Sequence, residues 1–403
     1  MKGHKASLDG RFGYNVIGFL TGNFGLSAAA RNTVRLLDKR GFGMRLIDID
    51  AGTERTGKDF GVMHMGMQTE EVAPYAVNLF HVNPSEVATL AAHASQLRMR
   101  EKINLCVPFW ELQALPTQWL PILAYMDAIL TATDYIRDSI LRVLPNAVCV
   151  PYPQATILPE GIEPNRAKFG LPDDAVVFLN VFDLHSDINR KNPLAVIEAF
   201  RRAFPKPENN YLVIKMSAVR SARELYPNEL AEVHRVASET ANMILIDELL
   251  TYEDVLSLHA SCDVFVSLHR AEGLGLNLME SMSLGKATIC TAWSGNMDFT
   301  NDRNSCLVGY KLIPVQPTHK VYDPANLAGE ARWADPDVEE AAQFMQRLAT
   351  DKALRSTLGQ RAKADMEENV MRYWRGLTFD QVKQQAVDSS SLMWQKRRAS
   401  GRH

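Results

Sequence analysis

Short apolar runs recur along this chain at Tyr14–Leu20, Met44–Ile49, Val77–Val82, Ile103–Phe109, Ala128–Ala132 and Val148–Tyr152. Each has the length and continuity of a strand buried on both faces. Between the first two, Leu26–Lys39 repeats its apolar residues at helical spacing. The pattern breaks around Pro151-Tyr152-Pro153 and the polar Pro159–Lys168 stretch, then resumes with Val176–Val181, Leu212–Met216, Met243–Ile246, Asp263–Ser267 and Ala287–Thr291. Strands alternating with helices predict α/β layers around parallel sheets. The break predicts a first domain over 1–160 and a second over 161–355, then helices over 356–388 and a mobile basic tail over 389–403.

The composition agrees with this division and narrows the function classes. At 403 residues the chain exceeds one ordinary core, and 46% hydrophobic with 23% charged residues is the balance of a globular protein with a polar surface. A net charge of −3 gives no case for nucleic acid as a partner. No apolar run reaches the ~18 residues of a membrane span, and Met1–Lys5 lacks the apolar core of a signal peptide, so the expected location is the cytoplasm. Lys396-Arg397-Arg398 and Trp394 allow only weak peripheral contact with the inner face of the plasma membrane. Five scattered cysteines without metal-ligand spacing read as buried reduced thiols.

The chemistry concentrates in Ala271-Glu272-Gly273-Leu274-Gly275-Leu276-Asn277-Leu278-Met279-Glu280. Two acids stand eight positions apart around a glycine-rich turn, between a predicted strand and a helix from Leu276 to Leu284 stopped by Gly285. Backbone N–H groups and the positive helix end converge at such a turn, which suits a phosphate. Glu272, before the glycines, would face whatever lies beyond the phosphates. Glu280, on the helix, would reach the vicinal hydroxyls of a ribose. Upstream, Asn189-Arg190-Lys191-Asn192-Pro193 follows the strand from Val176 and places cations beside a helix start, where the dipole alone disfavours them. Either an anion accounts for Lys191 there, or Arg190 and Lys191 are a solvated pair.

These two segments, with Ser281–Ile289, resemble the large family of retaining glycosyltransferases of group 1 type (family 4), which has the GT-B fold and uses nucleotide sugars. Trp293–Phe299 looks like the subset that builds bacterial surface polysaccharides. The resemblance implies two Rossmann-like domains whose parallel sheets face a central cleft, with the helical stretch Ser356–Gln385 crossing back to the first. It implies a nucleotide-sugar donor held by Gly273, Leu274, Gly275, Leu276 and Glu280, with Glu272, Lys191 and Arg190 in catalytic roles and a basic residue on the donor pyrophosphate. The acceptor is a glycan or lipid-linked glycan, and mannose from its guanosine diphosphate donor, or a UDP-sugar, is the donor so implied.

The chain departs from the family in two places. Phe182, Asp183 and Ser186 stand where the family has a further arginine, so Arg190 or the Ser186 hydroxyl would supply that contact. Trp110-Glu111 stand where the family has a histidine near the transferred sugar. Glu111 would contact sugar hydroxyls and Trp110 stack on a ring, or the pair is a packed tryptophan with an exposed acid. His269 is the better-placed histidine, either touching the donor or shaping the Glu272 loop. In the first half, Gly22 and Gly25 permit close backbone approach to a sugar phosphate or acceptor, or simply form a tight turn. Asp48-Ile49-Asp50 matches the D-x-D of metal-dependent transferases but ends a strand of the first half, so no metal and no cofactor is assigned. The expected activity is a retaining, metal-independent hexosyl transfer. A nucleotide-sugar epimerase or hydrolase and a catalytically silent glycan-binding scaffold are the alternatives.

Overall fold

Each predicted apolar run forms a strand in the computed structural model, which describes residues 12–22, 25–49, 60–67, 72–90, 94–217, 223–316, 322–388 and 390–401. The chain divides into two compact units. Unit 1 comprises Met1–Trp110, Ala114–Gln154 and Met371–His403, and unit 2 comprises Glu111–Gln113 and Ala155–Val370. The boundary between them at 370/371 falls inside the helix Lys352–Arg375.

Unit 1 contains β1 (Gly13–Gly18), β2 (Gly43–Asp48), β3 (Val77–His81), β4 (Ile103–Cys106), β5 (Ala128–Thr131) and β6 (Cys149–Pro151). They form one parallel sheet in the order β2-β1-β3-β4-β5-β6. Every residue of β1, β3, β4 and β5 is buried, which is why these strands read as unbroken apolar runs. The interior amides among them satisfy one another, as where Asn15 Nδ2 donates to Asn78 Oδ1 at 2.9 Å.

Unit 2 repeats the plan with β7 (Val176–Asp183), β8 (Asn210–Ser217), β9 (Met243–Ile246), β10 (Val264–Ser267), β11 (Ala287–Thr291) and β12 (Cys306–Val308). Their order is β9-β8-β7-β10-β11-β12, again parallel. Successive side chains of β7 pack into two different cores. Phe178 and Phe182 join Phe200 and Met345, while Val177, Leu179 and Val181 join Leu258 and Leu278. The sheet order reverses between β7 and β10, and ligands of such sheets lie beyond the carboxyl ends of the strands at that switch. Both motifs singled out in the sequence follow these two strands.

The antiparallel pair Tyr310–Pro314 with Arg332–Pro336 was not expected, because Tyr310 and Leu312 are exposed and give no buried run. The stretch Ser356–Gln385 is two helices, Lys352–Arg375 and Leu377–Val387, separated at Gly376 with φ +63°. The tail expected to be mobile over 389–403 instead holds a helix, Leu392–Ala399, capped by the Ser391 hydroxyl. Its Arg397 is 2% exposed and donates to Asp127 Oδ2 at 2.7 Å and to the Lys102 carbonyl at 2.6 Å. Asp127 is itself buried, so its charge requires this partner, and the basic run that read as a solvated end is a docked element of unit 1. Among the described residues no helix is long and apolar enough to cross a membrane.

Candidate functional site

The site in unit 2 starts from an unusual backbone. After β7 the chain makes a 3-10 turn over Leu184–Ser186 and enters Asp187 at φ +69°. That conformation is costly for a residue with a Cβ, and the buried Asp187 carboxylate offsets it by accepting from the N–H groups of Asn189 (2.9 Å) and Arg190 (3.1 Å). One helical turn, Ile188–Lys191, follows and ends at Asn192 in the left-handed region with φ +56°. Asn192 donates to the Leu268 carbonyl at 3.0 Å, and Pro193 then opens the helix Pro193–Ala203. Two helix starts in six residues thus turn Arg190 and Lys191 toward the loop after β10.

That loop, His269–Gly275, is stitched to the first by Arg270. Its N–H donates to the Arg190 carbonyl at 2.8 Å and its guanidinium to the Asn189 carbonyl at 3.1 Å. Lys191 Nζ donates to Glu272 Oε1, and Arg190 Nη1 lies 3.5 Å from Glu272 Oε2. Burial pushes the Glu272 carboxyl up, but Lys191 and Arg190 outweigh it and hold the group down at about 2. The acid is therefore ionised across the physiological range although it is 7% exposed.

Arg190 has partners other than the phosphate expected of it. It is 2% exposed, with Nε donating to the Ser186 carbonyl at 2.9 Å and Nη1 to the Ala271 carbonyl at 2.7 Å. It joins the two loops. Ser186 likewise contributes its carbonyl to this join.

Gly275 has φ +96°, which only glycine adopts without strain, and the helix Leu276–Ser283 starts from it. The sequence placed this start and its end within one residue. The turn is held from behind by a segment whose role the sequence did not reveal. The Glu272 N–H donates to Ser294 Oγ at 2.8 Å, and Gly295 N–H donates to the Glu272 carbonyl at 2.8 Å. Any Cβ on Gly295 would sit 2.1 Å from the Gly273 carbonyl oxygen, so the two backbones touch only because this residue is glycine. Glycine spacing alone could have flagged Gly295, but nothing local says which loop it meets.

His269 belongs to the same support. It is fully buried, with Nδ1 at 2.9 Å from Ser267 Oγ and Nε2 at 3.1 Å from Asn296 Oδ1, and burial lowers its pKa. Both ring nitrogens are engaged by protein, so the donor contact expected of His269 is corrected to the shaping of the Glu272 loop.

Glu280 lies on the second turn of the helix, 7% exposed, and its Oε1 accepts from the Tyr252 hydroxyl at 3.0 Å. Burial pushes its carboxyl up to about 7, against the downward pull of that bond. His259 Nε2 lies 3.9 Å from the other oxygen. Tyr252 and His259 come from the helix Tyr252–Ser261, which carried no signal of its own in the sequence.

Glu111 also falls in unit 2, accepting from the Tyr322 hydroxyl at 3.1 Å and lying 3.6 Å from Arg190 Nη2. Its neighbour Trp110 is in unit 1, where it is 2% exposed and its indole N–H donates to the Ala114 carbonyl at 2.8 Å. Trp110 is a packed residue, and the ring-stacking alternative is set aside.

Gly22 and Gly25 belong to unit 1. The buried Gly22 accepts from Arg31 Nη1 at 2.6 Å, and Gly25 opens the helix Gly25–Lys39. Asp48 accepts from the Leu20 N–H at 2.9 Å and from the Thr21 hydroxyl, so it braces the turn that leads to Gly22. Asp50 lies outside the described residues. Among the described residues no group of three or more His, Cys, Asp and Glu side chains is placed to hold a metal ion.

Residues 161–311 match the model of the family described as glycosyl transferases group 1. The chain is 26% identical over 166 residues to the serotype-specific mannosyltransferase WbdA of Escherichia coli. That match covers 40% of this chain and only 19% of the relative, so the chain accounts for about a fifth of the relative's length. Among solved structures, the sucrose-phosphate synthase of Thermosynechococcus elongatus superposes with a TM-score of 0.66 at 14% identity, covering 93% of this chain and 98% of that one. The Anabaena protein HepE, solved in complex with UDP and glucose, superposes with a TM-score of 0.63 at 13% identity, covering 92% and 99%. The two parallel sheets are those of the GT-B fold, and unit 2 carries the domain of the group 1 glycosyltransferases.

Proposed function

We propose that this chain, a group 1 glycosyltransferase of GT-B fold, moves a hexose from a nucleoside diphosphate to a hydroxyl of a growing polysaccharide with retention at the anomeric carbon. The observation that carries the reading is the meeting of Lys191, Arg190 and Glu272 at the carboxyl ends of β7 and β10, one glycine turn from a helix start. When the anomeric bond breaks, negative charge develops on the departing diphosphate. Lys191 and the N–H groups of the first turn after Gly275 stabilise that charge more than they stabilise the ground state. A cation and a helix N-terminus can do this without a metal.

Glu272, ionised and fixed by its loop, accepts hydroxyls of the transferred sugar. Glu280 accepts the ribose hydroxyls. Neither carboxylate is assigned as a nucleophile, so the acceptor hydroxyl attacks from the face the diphosphate leaves, passing its proton to a phosphate oxygen. The similarity to a mannosyltransferase favours mannose as the hexose, and the family resemblance of the sequence motifs supports a guanosine diphosphate donor and a lipid-linked glycan as acceptor.

The test is to incubate the protein with a panel of nucleoside diphosphate sugars, with and without lipid-linked oligosaccharides, and to follow nucleotide release. Acceptor-dependent release that persists in a chelator, with the anomeric configuration kept in the product, is the expected result. Release without an acceptor points to a hydrolase, and no release from any donor removes the enzymatic reading.

A further inference from the structure

The buried Arg190 stands at the centre of a charge cluster with a half-buried residue, Glu111, that no part of the transfer scheme uses. Two of its nitrogens are fixed by the Ser186 and Ala271 carbonyls, and Nη1 also lies 3.5 Å from Glu272. The remaining edge, Nη2, faces Glu111 Oε1 at 3.6 Å. Glu111 is held in turn by the Tyr322 hydroxyl, which donates to its other oxygen at 3.1 Å. The Tyr322 ring lies 5.9 Å from the guanidinium carbon, so one buried tyrosine contacts both members of the pair. Glu111, Arg190 and Tyr322 come from three distant stretches of sequence and all belong to unit 2.

The arrangement has a consequence for donor binding. Glu272 is paired with both Lys191 and Arg190. A diphosphate carries more negative charge than one carboxylate and draws Lys191 toward itself, which leaves Arg190 as the remaining cation on Glu272. Glu272 then keeps its direction only if Arg190 keeps its own. We propose that Glu111 and Tyr322 are positioning residues of the transfer reaction, acting through Arg190 to keep Glu272 aligned on the donor sugar once the diphosphate has drawn Lys191 away. Glu111 thus acts behind the site, in place of the direct sugar contact expected from the sequence. This inference rests on the transferase reading.

The test compares Tyr322→Phe, Glu111→Gln and the double variant, each checked for an unchanged far-ultraviolet spectrum, using the sugar donor that the wild-type protein turns over. Tyr322→Phe keeps the ring over Arg190 and removes only the hydroxyl. Each single variant is expected to lose about tenfold in kcat, while donor KM and the dissociation constant of the free nucleoside diphosphate stay within about twofold. The double variant should lose little more than the worse single one, because both changes act through one guanidinium. A residue serving only the fold would show instead equal losses in binding and turnover. An unchanged kcat in Tyr322→Phe, or losses that simply multiply in the double variant, overturns the positioning role while leaving the transferase reading intact. A wild-type protein inactive toward every donor removes the reading and this inference with it.

Discussion

Glu280 and Glu272 are two buried carboxylates that the fold drives in opposite directions. Burial lifts Glu280 to about 7, above the ~4.3 of an unfolded chain. The folded protein therefore holds this proton more tightly, and the stability it contributes below about pH 4 is lost as pH rises through about 7. At pH 8 the ionised group costs at most about 4 kcal/mol. Glu280→Gln should accordingly raise the urea midpoint of the ligand-free protein at pH 8 relative to wild type, while weakening nucleoside diphosphate binding about tenfold. Wild-type affinity should strengthen through pH 7 more steeply than that of the variant, because the carboxylate accepts ribose hydroxyls better than the acid does. A calorimetric titration at pH 6 and pH 8 checks both.

Glu272 has the reverse sign. Burial raises it, yet Lys191 and Arg190 hold it at about 2, so its contribution to stability is present above about pH 4 and is lost as pH falls toward 2. Glu272→Gln should spare free nucleotide affinity and lower turnover, whereas Lys191→Ala should cost kcat more than donor affinity, each by roughly ten- to a hundredfold. Steady-state kinetics beside a nucleotide titration separate the two.

At the scale of elements, two glycines near the same turn should respond differently to alanine. Gly275 has φ +96°, but an added Cβ would make only ordinary van der Waals contacts, the nearest atom being a Leu278 methyl at 3.4 Å. Gly275→Ala is expected to cost about 1 kcal/mol through backbone strain alone. Gly295→Ala would place a Cβ 2.1 Å from the Gly273 oxygen, and since that neighbour is backbone, the loop itself must move. Its expected signature is a loss of nucleotide binding larger than that of Gly275→Ala in a protein that still folds, read by titration and circular dichroism. The helix Leu392–Ala399 offers a separate check. Arg397→Met leaves Asp127 charged and buried, which should destabilise the protein by about 3–5 kcal/mol. Were the tail a solvated end, melting would not change.

At the scale of the molecule, Lys191, Glu272, Glu280 and the turn at Gly275 all lie in unit 2, and Gly22 and Gly25 lie in unit 1. Nucleoside diphosphate alone should therefore slow amide hydrogen exchange in the segments 184–192 and 269–280 and leave that of 20–27 unaltered. Equal protection of both would assign the unit 1 glycines to the nucleotide site.

The two α/β alternations, the strand positions and the helix start at Gly275 were legible in the amino-acid sequence, because a strand buried on both faces must be apolar throughout and a left-handed turn selects glycine. Glu272, Glu280 and Lys191 stood out in the sequence for a related reason, since acids and a cation gathered beside a glycine turn suit a charged ligand. What only the tertiary structure decided is which residues surround them. The reversal of strand order between β7 and β10 places Arg190 beside Ala271 and Glu272, and turns an expected phosphate ligand into the join between two loops. Ser294, Gly295, Tyr252 and Tyr322 approach from elements distant in the chain, and His269 turns inward to meet Asn296. Contacts of this kind depend on packing between segments far apart in sequence, and no local period or spacing encodes which segment a buried polar group will meet.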